Sequence, residues 1–284
     1  HFAAAFDQAY GLEFDGADTL DCGNDTTLDI NQDLTLEVFL QVNANSGEQV
    51  MIRRGAFDDA ETDRHVPYSL SLNAANQLVF AFEDINQGIH TYRSASPLGA
   101  GFYKVAVTRE RKTVQENTGT QQNPSVKVTA WYEITLYING QAQGSNRYEI
   151  TQTNDVGNSN KSVIIGKNFK GAITEVRVWN SARAQADIGK NLMGNEKGLV
   201  SWWRFQEGRG HQAYDSKSQN HATINGAQWV NSPDPQGSSL KLYLNGELKE
   251  TNAISKDAWA ATADQYTLGA RRVDDARLDQ YLQG

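Results

Sequence analysis

The sequence predicts an all-β protein in which two antiparallel sheets pack face to face. Runs of alternating apolar and polar residues recur along the first 230 residues, as in LTLEVFLQV (34–42) and AITEVRVWN (172–180). Clusters of Gly, Asn, Asp and Ser separate these runs at spacings typical of sandwiches. The helical periodicity is confined to SARAQADIGKNLM (181–193), which predicts one helix capped by Ser181 and ended by Gly194. So many strands with one helix must bury their apolar faces against each other, which predicts a sandwich.

Each predicted strand is a short alternating or apolar run between turn-forming residues. In chain order the predicted strands are GLEFDG (11–16), LTLEVFLQV (34–42), EQVMIRR (48–54), YSLSLN (68–73), QLVFAFED (77–84), FYKVAVTRE (102–110), SVKVTAWYEITLYING (125–140), SVIIGK (162–167), AITEVRVWN (172–180), LVSWWRF (199–205) and ATINGAQWV (222–230). NSPDPQGSS (231–239) has two prolines and no periodicity, so it is predicted to be a linker.

The charge and hydropathy of the chain exclude two classes of partner. The 284 residues carry a formal net charge of −8, whereas a nucleic-acid-binding surface needs concentrated positive charge. No apolar run approaches the roughly 18 residues that a membrane span requires. We therefore expect no nucleic acid partner and no membrane insertion.

Several motifs, in order, resemble the laminin-G-like jelly rolls of the concanavalin-A-like lectin/glucanase superfamily. These motifs are LEFDGADTLDCGND, LTLEVFLQV, YSLSLNAANQLVF, FYKVAVT, TLYINGQ and IIGKNFKGAITEVRVWN, and the resemblance covers roughly residues 10–230. It implies an antiparallel jelly-roll sandwich. Two departures stand out: Thr174 occupies a position that is usually acidic in the family, and residues 110–130 form an insertion that we predict to be a protruding hairpin.

A partial repeat lies at the C-terminal end of the chain. LKLYLNGEL (240–248) repeats ITLYINGQA (134–142), each a strand running into an Asn-Gly hairpin turn, and YTLGARR follows as VIIGKNF does in the first copy. We predict a laminin-G-like jelly roll at 1–194, a strand-bearing extension and linker at 195–236, and a partial second jelly roll at 237–284. The repeat either packs on the first domain or belongs to an incomplete second one, and the second interpretation is favoured.

An acidic turn predicts a calcium site. FDGADTLD places Asp15, Asp18 and Asp21 around a glycine turn, and calcium prefers six to eight oxygen ligands. The resemblance implies a structural calcium at this turn together with the acidic position of the last strand. Because Thr174 occupies that position, Glu175 would supply the carboxylate ligand to calcium instead. The alternative is that the aspartates only shape the turn.

Candidate ligand-binding residues lie near the variable loops. The inter-strand loop FDDAETD (57–63) contains Asp58 and Asp59, and Tyr92 and Trp131 flank other loops. Sugars stack on aromatic rings and bind carboxylate and amide groups through their hydroxyls. The alternative for the acidic loop is an ordinary solvated loop.

The arrangement of acidic residues argues against an enzyme. Glu83 and Asp84 are adjacent on a strand and therefore point to opposite faces, unlike the paired carboxylates of glycosidases. The sequence thus predicts a non-catalytic recognition or adhesion module of a larger extracellular or surface protein, which binds glycan or protein through loops at the sandwich ends. The alternatives are a spacer repeat of a fibre or assembly, and an accessory carbohydrate-binding domain of a glycoside hydrolase.

Overall fold

The structure is a computed structural model that describes residues 2–7, 9–43, 47–57, 65–119, 125–151, 154–235, 238–244 and 247–254. Nearly all of its regular structure is β. The strands within these residues are β1 (Phe2–Asp7), β2 (Tyr10–Asp15), β3 (Thr19–Asp21), β4 (Leu34–Val42), β5 (Gln49–Arg54), β6 (Ser69–Leu72), β7 (Gln77–Glu83), β8 (Ile89–Pro97), β9 (Gly101–Asn117), β10 (Val126–Ile138), β11 (Gln141–Ile150), β12 (Val163–Ile165), β13 (Lys170–Trp179), β14 (Leu199–Trp203), β15 (Gln212–Ala213), β16 (Ala222–Asn225), β17 (Gln228–Asn231), β18 (Ser238–Leu244) and β19 (Glu247–Ile254).

Two eight-stranded antiparallel sheets form the sandwich. The first sheet has the order β11-β10-β9-β4-β13-β2-β17, with β14 also paired to β13, and the second has the order β15-β16-β3-β12-β5-β6-β7-β8. The predicted all-β, two-sheet jelly-roll sandwich is confirmed. No helix among the described residues is long and apolar enough to cross a membrane.

The core lies between the inner faces of these sheets and follows the period-two pattern of the strands. Leu36, Val38 and Leu40 of β4 are fully buried against residues such as Phe80 and Phe82 of β7 in one cluster. Burying each such side chain contributes about 1.5–3 kcal/mol, so this cluster dominates the stability of the sandwich.

Trp202 and Trp203 of β14 lie on opposite faces of the first sheet, as alternation along a strand requires. Trp203 joins the main core, whereas Trp202 packs with Trp179 and Leu199 on the outer face of the first sheet. Trp179 is fully buried.

The helix predicted over 181–193 is wrong, because only a 3-10 turn at Gln185–Asp187 forms there. A second 3-10 turn lies at Thr26–Leu28. Side chains of the first sheet form hydrogen bonds with backbone groups of this segment that a helix would need for its own hydrogen bonds. Thr35 Oγ1 donates to the Ser181 carbonyl, and Glu37 Oε2 accepts the Gly189 N–H at 2.7 Å. This segment, 181–193, is therefore bound across the outer face of the first sheet and is called the covering segment below.

The predicted hairpin in the insertion at 110–130 is confirmed for its described residues. β9 and β10 stay paired out to Asn117 and Val126, beyond the edge of the neighbouring strand β4. Side chains near its end, such as Val114 and Val128, are exposed.

The predicted domain boundaries remain predictions, but the strand pairing shows which sheet each predicted segment joins. Strands β14–β17, between residues 199 and 231, belong to the two sheets of the sandwich. The repeat hairpin β18–β19 joins neither of those sheets and instead forms a third sheet of order β1-β18-β19. Residues 255–284, which include YTLGARR, lie outside the described residues.

Candidate functional site

A pocket of about 370 Å³ lies on the outer face of the first sheet, at the end where β10 turns into β11. Its volume is within the range of small-molecule sites. Aromatic, aliphatic, amide and charged groups line it: Phe102, Lys104, Asn139, Gly140, Ile188, Gly189, Asp234 and Pro235.

One wall of the pocket is the tight turn between β10 and β11. Asn139 and Gly140 both have positive φ, at 50° and 74°, as the Asn-Gly sequence favours. The backbone N–H of Asn139 donates to the Lys104 carbonyl at 2.7 Å, and its Oδ1 accepts the Lys104 N–H at 2.9 Å. These bonds fix the Asn139 side chain and leave its amide NH2 to donate to a ligand.

The opposite wall is the covering segment, which a buried ion pair holds in place. Glu37 accepts the Gly189 N–H and lies 3.2 Å from Arg177 Nη1, with both side chains at most 2% exposed. Arg177 Nη1 also donates to the Lys190 carbonyl at 2.8 Å. Burial raises the pKa of Glu37, and the Arg177 charge opposes part of that rise. The position of this wall therefore depends on the buried ion pair of the first sheet and not on the covering segment alone.

Lys104 supplies positive charge beside the pocket. Its Nζ lies 4.7 Å from the centroid of the Phe39 ring, a cation–π contact that restrains a flexible side chain. Phe102, on the same face of β9, contributes an aromatic surface. Such a site can place an apolar ring face against Phe102 while Lys104 and Asn139 donate hydrogen bonds to hydroxyl or carboxylate oxygens.

Tyr92, a predicted ligand-binding residue, lies in a different place. It belongs to an aromatic cluster at the edge of the second sheet, where its ring stacks on Phe82 with centroids 6.3 Å apart. Burial raises the pKa of Tyr92 to about 12. The ring is half-buried, so much of its surface serves packing.

Asp84 is the polar centre of this cluster. It accepts hydrogen bonds from His90 Nε2 at 2.8 Å and from the backbone N–H groups of Gly88 and Asn86. Burial alone would raise the Asp84 pKa, but the hydrogen bonds from His90, Gly88 and Asn86 outweigh it and hold that pKa below its ordinary value. Asp84 thus acts as a structural acceptor that ties the turn at 84–88 to β8.

Trp131 lies on the outer face of the first sheet, on the protruding hairpin. The guanidinium of Arg147 sits 3.9 Å from its ring centroid, and Arg147 is also paired with Glu149. One face of the indole is therefore already occupied by a cation. The structure does not bring Trp131 together with Tyr92, and Asp58 and Asp59 lie outside the described residues.

The three aspartates of the predicted calcium turn bond mainly to nearby backbone groups. Asp18 Oδ2 accepts the Asp15 N–H at 2.9 Å, Asp15 Oδ1 accepts the Ala17 N–H at 2.8 Å, and Asp21 Oδ1 accepts the Gly23 N–H at 2.9 Å. This is the pattern of side chains that shape turns. Asp15 and Asp18 are neighbours in this turn and remain the candidates for calcium.

Glu175 lies apart from that turn. Lys170 pairs with Asp15, so Glu175 is five residues further along β13, about 16 Å of strand. Glu175 Oε1 instead accepts hydrogen bonds from Arg177 Nε at 2.6 Å and from Trp202 Nε1. Within the described part of the chain, no three His, Cys, Asp or Glu side chains converge as a metal site. Calcium stays a prediction, and the geometry does not place Glu175 in its ligand set.

Thr174, at the usually acidic position, has a structural contact. It lies at an irregularity in the pairing of β13 with β4, and its Oγ1 donates to the Phe39 carbonyl at 3.3 Å. It is 6% exposed.

Glu83 is also a structural acceptor. Its Oε2 accepts the Val66 N–H at 2.8 Å, and both Glu83 and Asp84 are buried. The two carboxylates hold different loops, and they do not face a common cleft as a glycosidase pair would.

A family model of the concanavalin A-like lectin/glucanases superfamily matches residues 14–189. The chain belongs to this superfamily. A search of curated proteins found no significant match.

Several solved structures are similar to this chain. A protein described as carbohydrate-binding, from Bacteroides ovatus ATCC 8483, matches with a TM-score of 0.55 and 18% identity, over 79% of this chain and 60% of its own. The carbohydrate-binding module CBM40 of the Ruminococcus gnavus IT-sialidase matches with a TM-score of 0.43 and 13% identity, over 65% of this chain and 96% of its own. Domain 4 of an extracellular arabinanase from Geobacillus stearothermophilus matches with a TM-score of 0.37 and 14% identity, over 65% of this chain and 85% of its own. At these identities the likeness concerns the fold.

Proposed function

We propose that this protein is a non-catalytic carbohydrate-recognition module of a larger extracellular or surface protein. The observation that carries the proposal is the pocket on the outer face of the first sheet, which is lined by the aromatic side chain of Phe102 together with the donors of Lys104 and Asn139. Membership of a lectin and glucanase superfamily supports it, as does the carbohydrate-binding description of the Bacteroides ovatus protein. Calcium held at the Asp15–Asp18 turn is proposed as a stabilising ion.

The chemistry of the pocket matches that of a sugar ring. A pyranose has an apolar face of C–H groups, which packs on an aromatic ring, and a rim of hydroxyls that accept and donate hydrogen bonds. Lys104 can only donate, so it favours an acceptor-rich group such as a hydroxyl pair or a carboxylate. Because the pocket is open, it suits the end or side branch of an oligosaccharide.

The protein is proposed to be non-catalytic because Asp234 is the single carboxylate residue among the described residues that line the pocket, and Glu83 and Asp84 lie elsewhere. Glu83 and Asp84 each hold backbone N–H groups in separate loops. Retaining and inverting glycosidases need two carboxyl groups that flank one glycosidic bond. The described residues do not present such a pair in the pocket.

A glycan array probed with the full chain tests the proposal, followed by titration of the best saccharide. Phe102→Ala and Lys104→Met should each weaken binding tenfold or more, since losing about 1.4 kcal/mol of contact changes affinity tenfold. Lys112→Met is the matched control, because Lys112 lies on the same face of the same strand, eight residues from the pocket. The Lys112→Met variant should bind the saccharide with the affinity of the wild type.

Three results would overturn the proposal. An array without saccharide hits would favour the spacer-repeat alternative. Hits that are insensitive to Phe102 and Lys104 but lost in Trp131→Ala or Tyr92→Ala would place the site on the hairpin or at the edge cluster instead. Saccharide binding combined with turnover would favour an enzyme over a recognition module.

A further inference from the structure

The third sheet repeats three neighbouring strands of the first sheet. Its strand β18 contains LKLYL, the counterpart of ITLYI in β10, and each is followed by Asn-Gly. In the first sheet β10 lies between β9 and β11, whereas in the third sheet β18 lies between β1 and β19. β1 thus occupies the position of β9, and β19 occupies that of β11.

The strand on the other side of β18 is antiparallel to it, as β9 is to β10. Tyr243 of β18 pairs with Ala3, as its counterpart Tyr137 pairs with Ala106. An alanine therefore lies opposite the shared tyrosine in both strand pairs, and β1 is aligned with β9 on this alanine.

The hairpin of β18 and β19 reproduces the register of β10 and β11. Tyr243 pairs with Leu248 where Tyr137 pairs with Ala142, and Lys241 pairs with Thr251 where Thr135 pairs with Ser145. Both hairpins have their pairing irregularity between these two positions. Strand order, the hairpin register and the position of the irregularity therefore agree.

The two ends of the sandwich lie side by side. Tyr10, the first residue of β2, pairs with Asn231, the last residue of β17, and the Ser232 N–H donates to the Ala9 carbonyl at 3.0 Å. Asp7 in turn pairs with Ser239. A domain whose ends are adjacent can be inserted into a turn without separating the strands that flank it.

We propose that β1, β18 and β19 are three adjacent strands of a second jelly roll, and that residues 10–231 are a complete jelly roll inserted between the first two of them. The insertion point corresponds to the β9–β10 turn of the sandwich. In the sandwich, the other edge of β9 carries β4, whose register runs from Leu34–Arg109 to Val42–Gly101. Among the described residues β1 has no strand on that edge. The edge of β1 is therefore a docking surface for an antiparallel strand with the alternating pattern of β4, since an open edge offers unpaired N–H and C=O groups.

The register is tested by cysteine pairs in the full chain. Ala4→Cys with Leu242→Cys places two directly opposed residues within disulfide range, and oxidation should join them as judged by mass spectrometry after proteolysis. Ala4→Cys with Leu240→Cys is the matched control, shifted by one repeat of the strand on the same face. Equal cross-linking of both pairs, or none in the opposed pair, would contradict the pairing of β1 with β18 on which the proposal depends.

The docking edge is tested by tethering a partner strand. The sequence of β4, LTLEVFLQV, is joined through a short flexible linker to the N-terminus of the full chain, so that its effective concentration at β1 is high. Amide hydrogen exchange in Phe2–Asp7 should slow at least tenfold at the groups on the outer edge. The control carries proline in place of the central valine of the tethered strand, which removes a ladder donor and blocks central pairing. Exchange that is unchanged, or slowed equally by the proline strand, would overturn the docking assignment, whatever the outcome of the saccharide experiments.

Discussion

Arg109 is the buried cation on which one end of the sandwich depends, so its replacement has a predictable cost. The side chain is fully buried on β9 and donates to three backbone carbonyls, those of Gln32, Pro67 and Ile30, at 2.8, 2.7 and 3.0 Å. Burial lowers the pKa of Arg109 to about 10, so the guanidinium stays charged at pH 7. These bonds hold the segments at 30–32 and at 67 against the end of the first sheet.

Arg109→Met keeps the aliphatic stem and removes all three donors. Each carbonyl left without a donor costs about 1–3 kcal/mol, or about 3–9 kcal/mol for three. The protein recovers part of this because the cation no longer has to be desolvated, so we expect a net loss of about 3–5 kcal/mol, the scale found when one partner of a buried charged interaction is removed. At about 2–4 °C per kcal/mol for a domain of this size, the melting temperature should fall by on the order of 10 °C.

Urea unfolding followed by tryptophan fluorescence measures this loss, with Arg111→Met as the matched control. Arg111 lies two residues further along β9, but its side chain is 38% exposed and its ion pair with Asp155, at 3.6 Å, is at the surface. The control should lose less than about 1 kcal/mol. If Arg109→Met loses no more than the control, the three carbonyls are satisfied by another route and the reasoning is refuted.

Two further predictions concern acidic side chains. Because the folded-state pKa of Asp84 is lowered, its ionised form stabilises the protein above about pH 4, and that contribution is lost as pH falls through the lowered value. Asp84→Asn should therefore flatten the stability–pH curve on the acid side, and an unchanged slope in urea titrations would contradict this. If Asp15 helps to hold calcium, chelation should lower the melting temperature of the wild type, by mass action on the native state, and should leave Asp15→Ala unaffected. Superimposable melts of the wild type with excess calcium and with chelator would end the calcium proposal.

Most strands of the sandwich were predictable because their alternating or apolar patterns are local, whereas β1, β3, β8 and β15 were not predicted. β4 and β13 follow their alternating or apolar patterns almost residue for residue, and the Asn139–Gly140 turn carries its own chemical signal. The opposite faces of Trp202 and Trp203 also follow from alternation alone. Local pattern was sufficient for these elements.

The covering segment could not be predicted in this way, because its conformation is decided by distant residues. Its helical periodicity is real, but Thr35, Glu37 and Arg177 bind its backbone groups and hold it flat on the sheet. Tertiary hydrogen bonds thus override a modest local preference.

The pocket was missed for a similar reason. Its lining residues come from four separate stretches, near 102–104, 139–140, 188–189 and 234–235. None of these stretches contains a motif that marks binding, and only the sheet pairing and the covering segment bring them together. The calcium prediction stays a prediction, and only the place of Glu175 in its ligand set is put in doubt, because Asp15 and Glu175 lie on neighbouring strands at positions several residues apart.

The pairing of Tyr10 with Asn231 has a mechanical consequence. When the chain is pulled at the start of β1 and at the end of β18, the force acts first on the hydrogen bonds that pair these two strands. The sandwich lies between β1 and β18 in the sequence but outside this path of force, so it bears no tension until the two strands separate. A protein built in this way can transmit load through its third sheet while the pocket on the sandwich keeps its resting shape.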